Sequence, residues 1–262
     1  MTIYMQHAVK ATQLPMSEAE RKARVELAAC YRVFDMLGWT EMIFNHITLR
    51  VPGPASDPES ARFLINPFGL HYREVKASNL VLIDLEGNIL RDTGYPINRA
   101  GFVIHSAIHG SMPRAHCVMH THTTNGVAVS CLKDGLSSDN FYGAMLHGRT
   151  AYHDLEGVTV DTGERERIVR DLGDKHVMIL RNHGLLAWGE SVAEAYLRLW
   201  TLQRACDVQV AAAQAGGETI RLSQPVIDRM LAESGPGEKR TCQDVFDALV
   251  RMVDARDPSY RD

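Results

Sequence analysis

The sequence predicts an α/β protein in which a central, mainly antiparallel β-sheet is covered by helices on its faces. Two observations lead to this fold class. Short apolar runs typical of strands are concentrated in the middle of the chain, and helical patterns stand between and around them. No G-x-G-x-x-G follows a strand-like run, which disfavours a dinucleotide-binding fold.

The first helix is predicted to begin at Ser17, where Glu20 completes a capping box, and to end at Gly38. Apolar residues recur at helical spacing between these limits. They are Val25, Ala28, Ala29, Val33, Met36 and Leu37.

From residue 44 the pattern changes to short strand-like runs separated by turns. These runs are FNHITLRV, RFLINPFG and NLVLIDLEGNIL, the last with a turn at residues 86–88. INRAGFVIHSAIHGSM is predicted as a helix that ends before Pro113, and HCVMHTH as a compact strand. NGVAVSCLKDG opens the next helix.

HVMILRNHG and LLAWG are predicted as strands on either side of a turn. A long helix then begins at Ser191, with Glu194 at the capping-box position, and ends at Gly216 and Gly217. Its apolar residues could pack between subunits or serve the chain's own core. They are Val192, Ala195, Tyr196, Leu199 and Leu202.

The composition is that of a globular protein with one sizeable core, since 45% of the 262 residues are hydrophobic and 23% are charged. No internal repeat or linker-like boundary stands before about residue 215. We therefore expect an irregular segment over residues 1–16, one domain over 17–217, and a C-terminal tail with short helices over 218–262.

The charge balance and the cysteines limit the partners and the compartment. A net charge of -4 leaves no basic excess to neutralise phosphates, so we expect no nucleic-acid partner. No apolar run approaches the roughly 20 residues that span a bilayer, and the first residues lack the order of a signal peptide. Five cysteines without C-x-x-C spacing are typical of reduced thiols, which favours a cytoplasmic protein without a membrane partner.

Two histidines stand two residues apart in the stretch VMHTHTT. In a strand, alternate side chains share a face, so His120 and His122 would point to the same side. Two neutral imidazoles that converge suit a divalent metal ion. The alternative is that both are polar surface residues, and this pair alone leaves the choice open.

A third histidine favours the metal. His183 ends the apolar run VMIL and precedes a glycine that permits a sharp turn. Rigid scaffolds present ligands at strand ends and in the loops beyond them. Three imidazoles with one open position are typical of a catalytic zinc-type site. Coincidence is the alternative, since the chain has 12 histidines.

In combination, HTH, an NHG some sixty residues later, NHITLR and INPFG resemble the class II aldolase/adducin superfamily over about residues 28–217. The resemblance implies a three-layer α/β/α fold, tetramers, and active sites at subunit interfaces. It also implies that His120, His122 and His183 bind one divalent metal ion. Zinc is the first choice, and manganese, iron, cobalt and nickel are alternatives.

Within the superfamily, the adducin-like branch is the nearer resemblance. Three stretches carry it: INRAGFVIHSAIHGSMPRAHCVMHTHT, AYHDLEG and ILRNHGLLAWGESVAEAY. Adducin is a cytoskeletal protein, so this resemblance leaves a non-catalytic function open.

The chain departs from the sugar-phosphate aldolases of the family at their Ser-Ser-Glu, which supplies phosphate contacts and a proton-transferring carboxylate. The ungapped match here is residues 99–101, Arg-Ala-Gly, so Gly101 offers no side chain to move a proton. Arg99 could instead clamp a carboxylate, because its planar fork matches that geometry. A solvent-facing arginine at a helix start is the alternative.

Other pocket positions differ as well. A family Thr-Gly that contacts phosphate becomes Phe68-Gly69, and a family Gly-Asn becomes Asn45-His46. Asn66 in INPFG is predicted to line the pocket, or simply to cap a turn. Asn45, Asn66, Gly69 and Arg99 are therefore the predicted substrate-binding residues.

With no carboxylate at residue 101, another group must move protons. His46 is the first candidate, and a histidine hydrogen-bonded within the sheet is its alternative. Tyr142 lies near the place where the family's aldolases contribute a tyrosine from the neighbouring subunit, although Phe141 could take that place. His147 is a weaker candidate from the same stretch.

One further histidine pair needs a separate interpretation. His105 and His109 stand four residues apart on one predicted helix and could mimic a ligand pair. We predict that both are structural, because a complete ligand set exists without them.

These features predict a divalent-metal-dependent lyase that cleaves a C–C bond, by retro-aldol cleavage or decarboxylation, through a metal-stabilised enolate. The expected partner is a non-phosphorylated, carboxylate-bearing small molecule, and the expected assembly is a homo-oligomer, a tetramer. The alternative function is a non-catalytic adducin-like oligomerisation or binding module.

Overall fold

The structure is a computed structural model, and it describes residues 16–53, 61–157, 163–233 and 239–262. The side chains of Arg99 and Ala100 are not among the described parts. The predicted irregular segment over residues 1–16 lies outside the described residues except for Met16.

Helix α1 (Glu18–Leu37) begins and ends where the sequence predicts. The side chain of Ser17 accepts a hydrogen bond from the backbone N–H of Glu20 at 3.1 Å. Gly38 follows the helix with φ 71°, a left-handed conformation that glycine adopts without strain.

Seven further helices lie in the described ranges. They are α2 (Arg99–Ser111), α3 (Thr124–Ser130), α4 (Phe141–Met145), α5 (Glu164–Leu172), α6 (Val192–Gln214), α7 (Gln224–Glu233) and α8 (Lys239–Arg256). The sequence analysis did not predict α4 or α5, and α6 is the predicted long helix.

Within the described ranges, eight strands form one sheet in the order β4-β3-β2-β1-β5-β8-β7-β6. They are β1 (Ile47–Val51), β2 (Arg62–Ile65), β3 (Val81–Asp84), β4 (Ile89–Arg91), β5 (Cys117–Thr121), β6 (Thr150–His153), β7 (Val177–Leu180) and β8 (Gly184–Gly189). Neighbouring strands are antiparallel except β6 and β7, which are parallel. The predicted fold class is confirmed.

Helices cover both faces of the sheet, and alternation along β5 shows the two layers. Met119 packs in a core with residues of α1, α6 and α8, whereas Val118 packs in a second core with residues of α2 and α5. Because alternate side chains of a strand share a face, His120 points to the α2 and α5 side.

The register of the strands collects several strand ends at one edge of the sheet. Ile47 pairs with Met119, Thr121 pairs with Leu185, and Leu180 pairs with Gly184. The start of β1, the end of β5 and the β7–β8 turn therefore meet at this edge. The end of β6 joins them, because His153 pairs with Leu180 in the parallel register.

The apolar residues of α6 that the sequence offered for packing between subunits belong to the chain's own core. All five are buried, at 0–2% exposure: Val192, Ala195, Tyr196, Leu199 and Leu202. They contact the sheet and neighbouring helices in the cluster that α1 also joins. The interpretation as a subunit surface is therefore wrong, and its alternative is right.

The C-terminal part of the described chain joins the same core. Helix α8 is 18 residues long and packs against α1 and α6, with Cys242, Phe246 and Val253 buried. Among the described helices, none is both long and apolar enough to cross a membrane.

Candidate metal centre

Three histidines converge at the sheet edge. His120 lies in β5, His122 just beyond its end, and His183 in the turn between β7 and β8. One nitrogen from each ring lies within 4.8 Å of the others, and the ring centroids are 4.5–4.8 Å apart. The strand register therefore brings together three residues that are up to 63 positions apart in sequence.

The hydrogen bond of His120 fixes which of its nitrogens is free. Its Nδ1 lies 2.9 Å from the carbonyl oxygen of Leu185. A carbonyl only accepts, so Nδ1 carries the proton and the neutral ring keeps its lone pair on Nε2. That Nε2 lies 2.7 Å from Nε2 of His122, so two ring nitrogens meet at the point that a metal ion would occupy.

The turn that carries His183 needs two special backbone positions. Asn182 has φ 56°, a left-handed conformation that asparagine tolerates better than most residues. A Cβ on Gly184 would overlap the backbone oxygen of Thr121 and lie 3.0 Å from the His122 ring. The glycine after His183 therefore allows the close approach of β5 and β8 that forms the cluster.

Burial keeps the three imidazoles neutral. It lowers the pKa of His183 to about 4 and the pKa of His122 below its usual value. For His120, burial and then the neighbouring histidines hold the pKa well below 6.5. Neutral rings are the form that binds metal, so the donor set fits a divalent ion of the zinc type.

His46 stands beside this cluster, immediately before β1. Its ring centroid lies 5.4 Å from that of His120, and the side chain is 3% exposed. Neither ring nitrogen has a hydrogen-bond partner among the described groups. Burial, then the nearby His122, lowers the pKa of His46 to about 3, so the ring is neutral near pH 7.

The ring of His46 occupies the space beside Gly101. A Cβ on Gly101 would lie 2.6 Å from ring atoms of His46, well inside van der Waals contact. An imidazole from another element therefore fills the space beside Gly101, the residue that the sequence resemblance matched to the aldolase glutamate.

A directed hydrogen-bond chain lies behind His46. Nδ1 of His109 lies 2.7 Å from the oxygen of Ala115, so it donates, and Nε2 accepts from the hydroxyl of Thr48 at 2.7 Å. The Thr48 oxygen then accepts from Nδ1 of His105 at 2.7 Å. His105 is thereby left with an acceptor Nε2, and its ring lies 4.2 Å from that of His46. The two histidines are buried and bonded within the core, in keeping with the predicted structural role.

The two predicted asparagines lie at the same edge with different surroundings. Oδ1 of Asn66 lies 3.0 Å from the hydroxyl of Tyr31, and its Nδ2 donates to the backbone oxygen of Asn45 at 3.3 Å. The side chain of Asn66 thus ties β2 to the segment before β1. Asn45 is 2% exposed, and its Oδ1 has no partner among the described groups.

Among the described side chains, neither Gly69 nor Tyr142 contacts the three histidines. Gly69 is exposed in the turn after β2, with φ 103°. Arg99 begins α2, but its side chain lies outside the described parts. Tyr142 lies against Trp200 at 5.6 Å and lines a groove along α4 and α6 that contains none of the three histidines. The weaker candidate, His147, is exposed and contacts Ser138.

Sequence reasoning missed a second polar cluster at the same edge. His153 ends β6 and lies between Glu164 and Asp171 of α5, at 3.4 Å and 2.8 Å. His153 and Glu164 line a cleft together with His183. The signal in the sequence was AYHDLEG, which entered only as part of a resemblance and not as chemistry.

Comparison with known proteins gives the family. The family model described as Class II Aldolase and Adducin N-terminal domain matches residues 25–210. The chain belongs to the class II aldolase/adducin family. The resemblance drawn from HTH and NHG is therefore confirmed.

Relatives of this class II aldolase/adducin protein include solved structures. An aldolase II superfamily protein from Pseudomonas syringae superposes with a TM-score of 0.87 at 45% identity, over 94% of this chain and 97% of that chain. L-fuculose 1-phosphate aldolase from Glaciozyma antarctica PI12 superposes with a TM-score of 0.80 at 28% identity, over 97% of both chains.

The adducin side of the family is represented as well. Alpha-adducin of Rattus norvegicus is 41% identical over 252 residues, which cover 90% of this chain and 34% of that protein. The class II aldolase/adducin chain therefore spans about a third of the length of this relative.

Proposed function

We propose that the protein is a divalent-metal-dependent lyase that cleaves a C–C bond of a small, non-phosphorylated, carboxylate-bearing molecule. The observation that carries this proposal is the convergence of His120, His122 and His183, with the lone pair of His120 Nε2 directed at the meeting point. Three imidazoles leave a coordination position for a substrate.

Zinc is the proposed ion, because neutral imidazoles in a tetrahedral set suit it, and manganese, iron, cobalt and nickel are the alternatives. When bound, such an ion supplies a Lewis acid that polarises a carbonyl oxygen and stabilises the negative charge left by bond cleavage. The carbonyl of Leu185 orients His120 for this task.

His46 is the proposed neighbour of the reacting atoms. A neutral imidazole donates from one nitrogen and accepts at the other, and neither nitrogen of His46 has a partner at ordinary hydrogen-bond geometry among the described groups. Its donor can stabilise an oxygen on which charge develops. With a pKa of about 3, the ring is a weak base near neutral pH, so retro-aldol cleavage needs a further group to take the hydroxyl proton.

The proposed substrate class follows from what stands at residues 45, 69 and 99–101. Arg99 is the proposed carboxylate anchor, Asn45 offers an unpartnered buried amide oxygen, and Asn66 and Gly69 shape the surrounding loops. The relative named L-fuculose 1-phosphate aldolase makes a sugar phosphate the competing substrate class. We also propose a cytoplasmic homotetramer in which Tyr142 reaches the centre of a neighbouring subunit.

The second candidate function is a non-catalytic binding module of the adducin type. The 41% identity to rat alpha-adducin favours it. The complete histidine triad favours the enzyme, because a module without chemistry has no need for three converging neutral imidazoles.

Metal analysis and an activity screen distinguish these functions. We expect the purified protein to retain about one zinc ion per chain, and His122→Ala to lose it. The control His116→Ala removes an exposed histidine at the other end of β5 and should leave the metal unchanged. Wild-type protein should cleave at least one member of a panel of 2-oxo and hydroxy acids, and His122→Ala none.

Two results contradict the proposal in different ways. Zinc retention without activity on any acid or on L-fuculose 1-phosphate would favour the binding module. Efficient cleavage of L-fuculose 1-phosphate, unchanged by Arg99→Ala, would overturn the proposed substrate class but leave the lyase in place.

A further inference from the structure

A groove between helices α1 and α8 lies apart from the proposed metal centre, since none of the described residues that line it is a histidine. Four apolar residues line it, Val25 and Ala29 of α1 and Phe246 and Val250 of α8. Ala29 and Phe246 are buried, whereas Val25 and Val250 are only partly covered. Apolar surface left open between two helices can bind a further segment of chain.

Two carboxyl groups in this groove lack a cationic partner among the described residues. No hydrogen bond or ion pair joins the side chain of Glu26 in α1 to another described residue. Asp247 of α8 accepts a hydrogen bond from the amide of Gln243 at 2.8 Å. Burial, and then the charge of Asp247, raises the pKa of Glu26, so the two carboxyl groups lie close enough to repel each other. A cation held between them would relieve that repulsion.

The cations that line the groove do not pair with these two carboxylates. Arg21 lies 3.8 Å from Glu18, and Arg261 pairs with Asp254 at 2.7 Å. Lys22 is exposed, and no ion pair within the described ranges joins it to either carboxylate. The groove therefore offers two uncompensated carboxylates beside partly open apolar surface.

Residues 1–15, which lie outside the described residues, have a composition that complements this groove. Their sequence, MTIYMQHAVKATQLP, contains Lys10 as its single lysine or arginine and has no aspartate or glutamate. Apolar residues stand on both sides of that lysine, among them Val9 and Leu14. A lysine can lay its apolar stem along such a surface while its ammonium group meets the carboxylates.

The segment is attached at one end of the groove. Glu18, the first residue of α1, lines the groove, and residues 1–15 end just before it. An extended chain from Lys10 to Met16 spans up to about 20 Å, whereas Glu26 lies only about 12 Å along the helix axis from Glu18. Lys10 can therefore reach the carboxylates with length left for the chain to reverse direction. Such a short tether keeps the segment at a local concentration far above that of a free peptide.

We propose that residues 1–15 fold back along α1 and bind the groove between α1 and α8, with the ammonium group of Lys10 between the carboxylates of Glu26 and Asp247. The apolar residues on either side of Lys10 then cover the apolar residues that line the groove. The bound segment ties α8 to α1. This contact is independent of the proposed metal centre, so either proposal can fail alone.

Carbodiimide coupling tests the contact in the unaltered full chain, because the reagent joins an amine to a carboxylate where the two form an ion pair. We expect peptide mapping to find Lys10 joined to Glu26 or Asp247. Lys239 and Glu190, whose charged atoms lie 2.9 Å apart, should couple in the same sample and show that the reagent has acted. In Lys10→Arg the link should disappear, because a guanidinium group does not couple.

A mixture of unlabelled and isotope-labelled protein shows which chain supplies the segment. Links from Lys10 to the groove within one chain support the proposal, whereas links between labelled and unlabelled chains would show that a second copy fills the groove. Coupling of Glu26 and Asp247 to Lys22 alone, or to no lysine, while Lys239 couples to Glu190, would overturn the proposal.

Hydrogen exchange measures the consequence for α8. Lys10→Glu would bring a third carboxylate to the groove and release the segment. We expect the amides of α8 to exchange about 2- to 5-fold faster in this variant than in wild type. Lys133→Glu makes the same change of charge at an exposed lysine outside the groove and should match wild type. Equal exchange of α8 in wild type and Lys10→Glu would overturn the proposal.

Discussion

Gly101 lies in helix α2 at a position where any side chain would have to share space with the ring of His46. The His46 ring can lie where it does only because residue 101 is a glycine. In the proposed match to the aldolases, a histidine before β1 takes the place of their glutamate, so the group beside the proposed metal is a neutral imidazole and not a carboxylate.

Adding a methyl group tests this packing. We expect Gly101→Ala to lower the free energy of unfolding by about 1–3 kcal/mol, because His46 is buried and cannot move without displacing neighbours. Gly110→Ala in the same helix is the matched control, since its Cβ would meet only the Leu85 side chain, at an ordinary 3.4 Å. Urea denaturation measures both variants, and equal stability of the two would contradict the packing argument.

The buried histidines also predict a pH dependence of stability. Burial lowers the pKa of His109 in the folded protein to about 3, whereas the unfolded chain has a pKa near 6.5. The unfolded state therefore binds more protons between these values, and the stabilisation present above pH 6.5 is lost as the pH falls toward 3. This residue contributes at most about 1.4 kcal/mol per pH unit.

Denaturation curves from pH 7 to pH 5 measure the effect. His109→Gln is the comparison, because an amide can donate to Ala115 and accept from Thr48 without titrating. The stability of wild type should fall more steeply with acidification than that of the variant. Parallel curves would show that His109 is already protonated in the folded protein.

At the scale of elements, the turn between β7 and β8 creates the site. The turn places His183 against the end of β5, and Gly184 is the position where the two strands approach most closely. Gly184→Ala should destabilise the protein and abolish zinc retention, because a methyl group there displaces the backbone of Thr121. Gly217→Ala, with no atom within 4 Å of its Cβ, should stay within about 0.5 kcal/mol of wild type. Full zinc content in Gly184→Ala would contradict this view of the turn.

Much of the fold was predictable because local chemistry decided it. Ser17 and Gly38 set the limits of α1. The spacing of His120 and His122 predicted that their side chains point to the same face of the sheet. The cluster of His153, Glu164 and Asp171 was not predictable in the same way. Its members come from β6 and α5, and only the parallel pairing of His153 with Leu180 brings β6 beside the turn that carries His183. Pairing between strands that are distant in sequence produces no pattern that a short stretch of sequence could show.

At the scale of the whole molecule, a groove along α4 and α6 exposes aromatic side chains. Tyr142, Trp200 and Phe141 line this groove, and Phe141 is 63% exposed. Exposed aromatic side chains at a groove are typical of protein interfaces. This surface, and not the buried face of α6, is where we expect chains to meet.

Light scattering tests the assembly. We expect wild-type protein at micromolar concentration to have about four times the chain mass of 29.2 kDa. Phe141→Glu should reduce that mass, because it places a charge in the proposed contact, while Met252→Glu, at an exposed residue of α8 outside the groove, should not. A monomeric wild type would contradict both the tetramer and the role of Tyr142 in a neighbouring site.

The central claim is that three histidines from two parts of the sequence form one metal centre. Crystals of zinc-loaded protein, measured on both sides of the zinc absorption edge, locate the ion directly. We predict one anomalous peak per chain with ring nitrogens of His120, His122 and His183 at about 2.0–2.1 Å. An ion bound elsewhere, or a triad without any ion at saturating zinc, would contradict the claim.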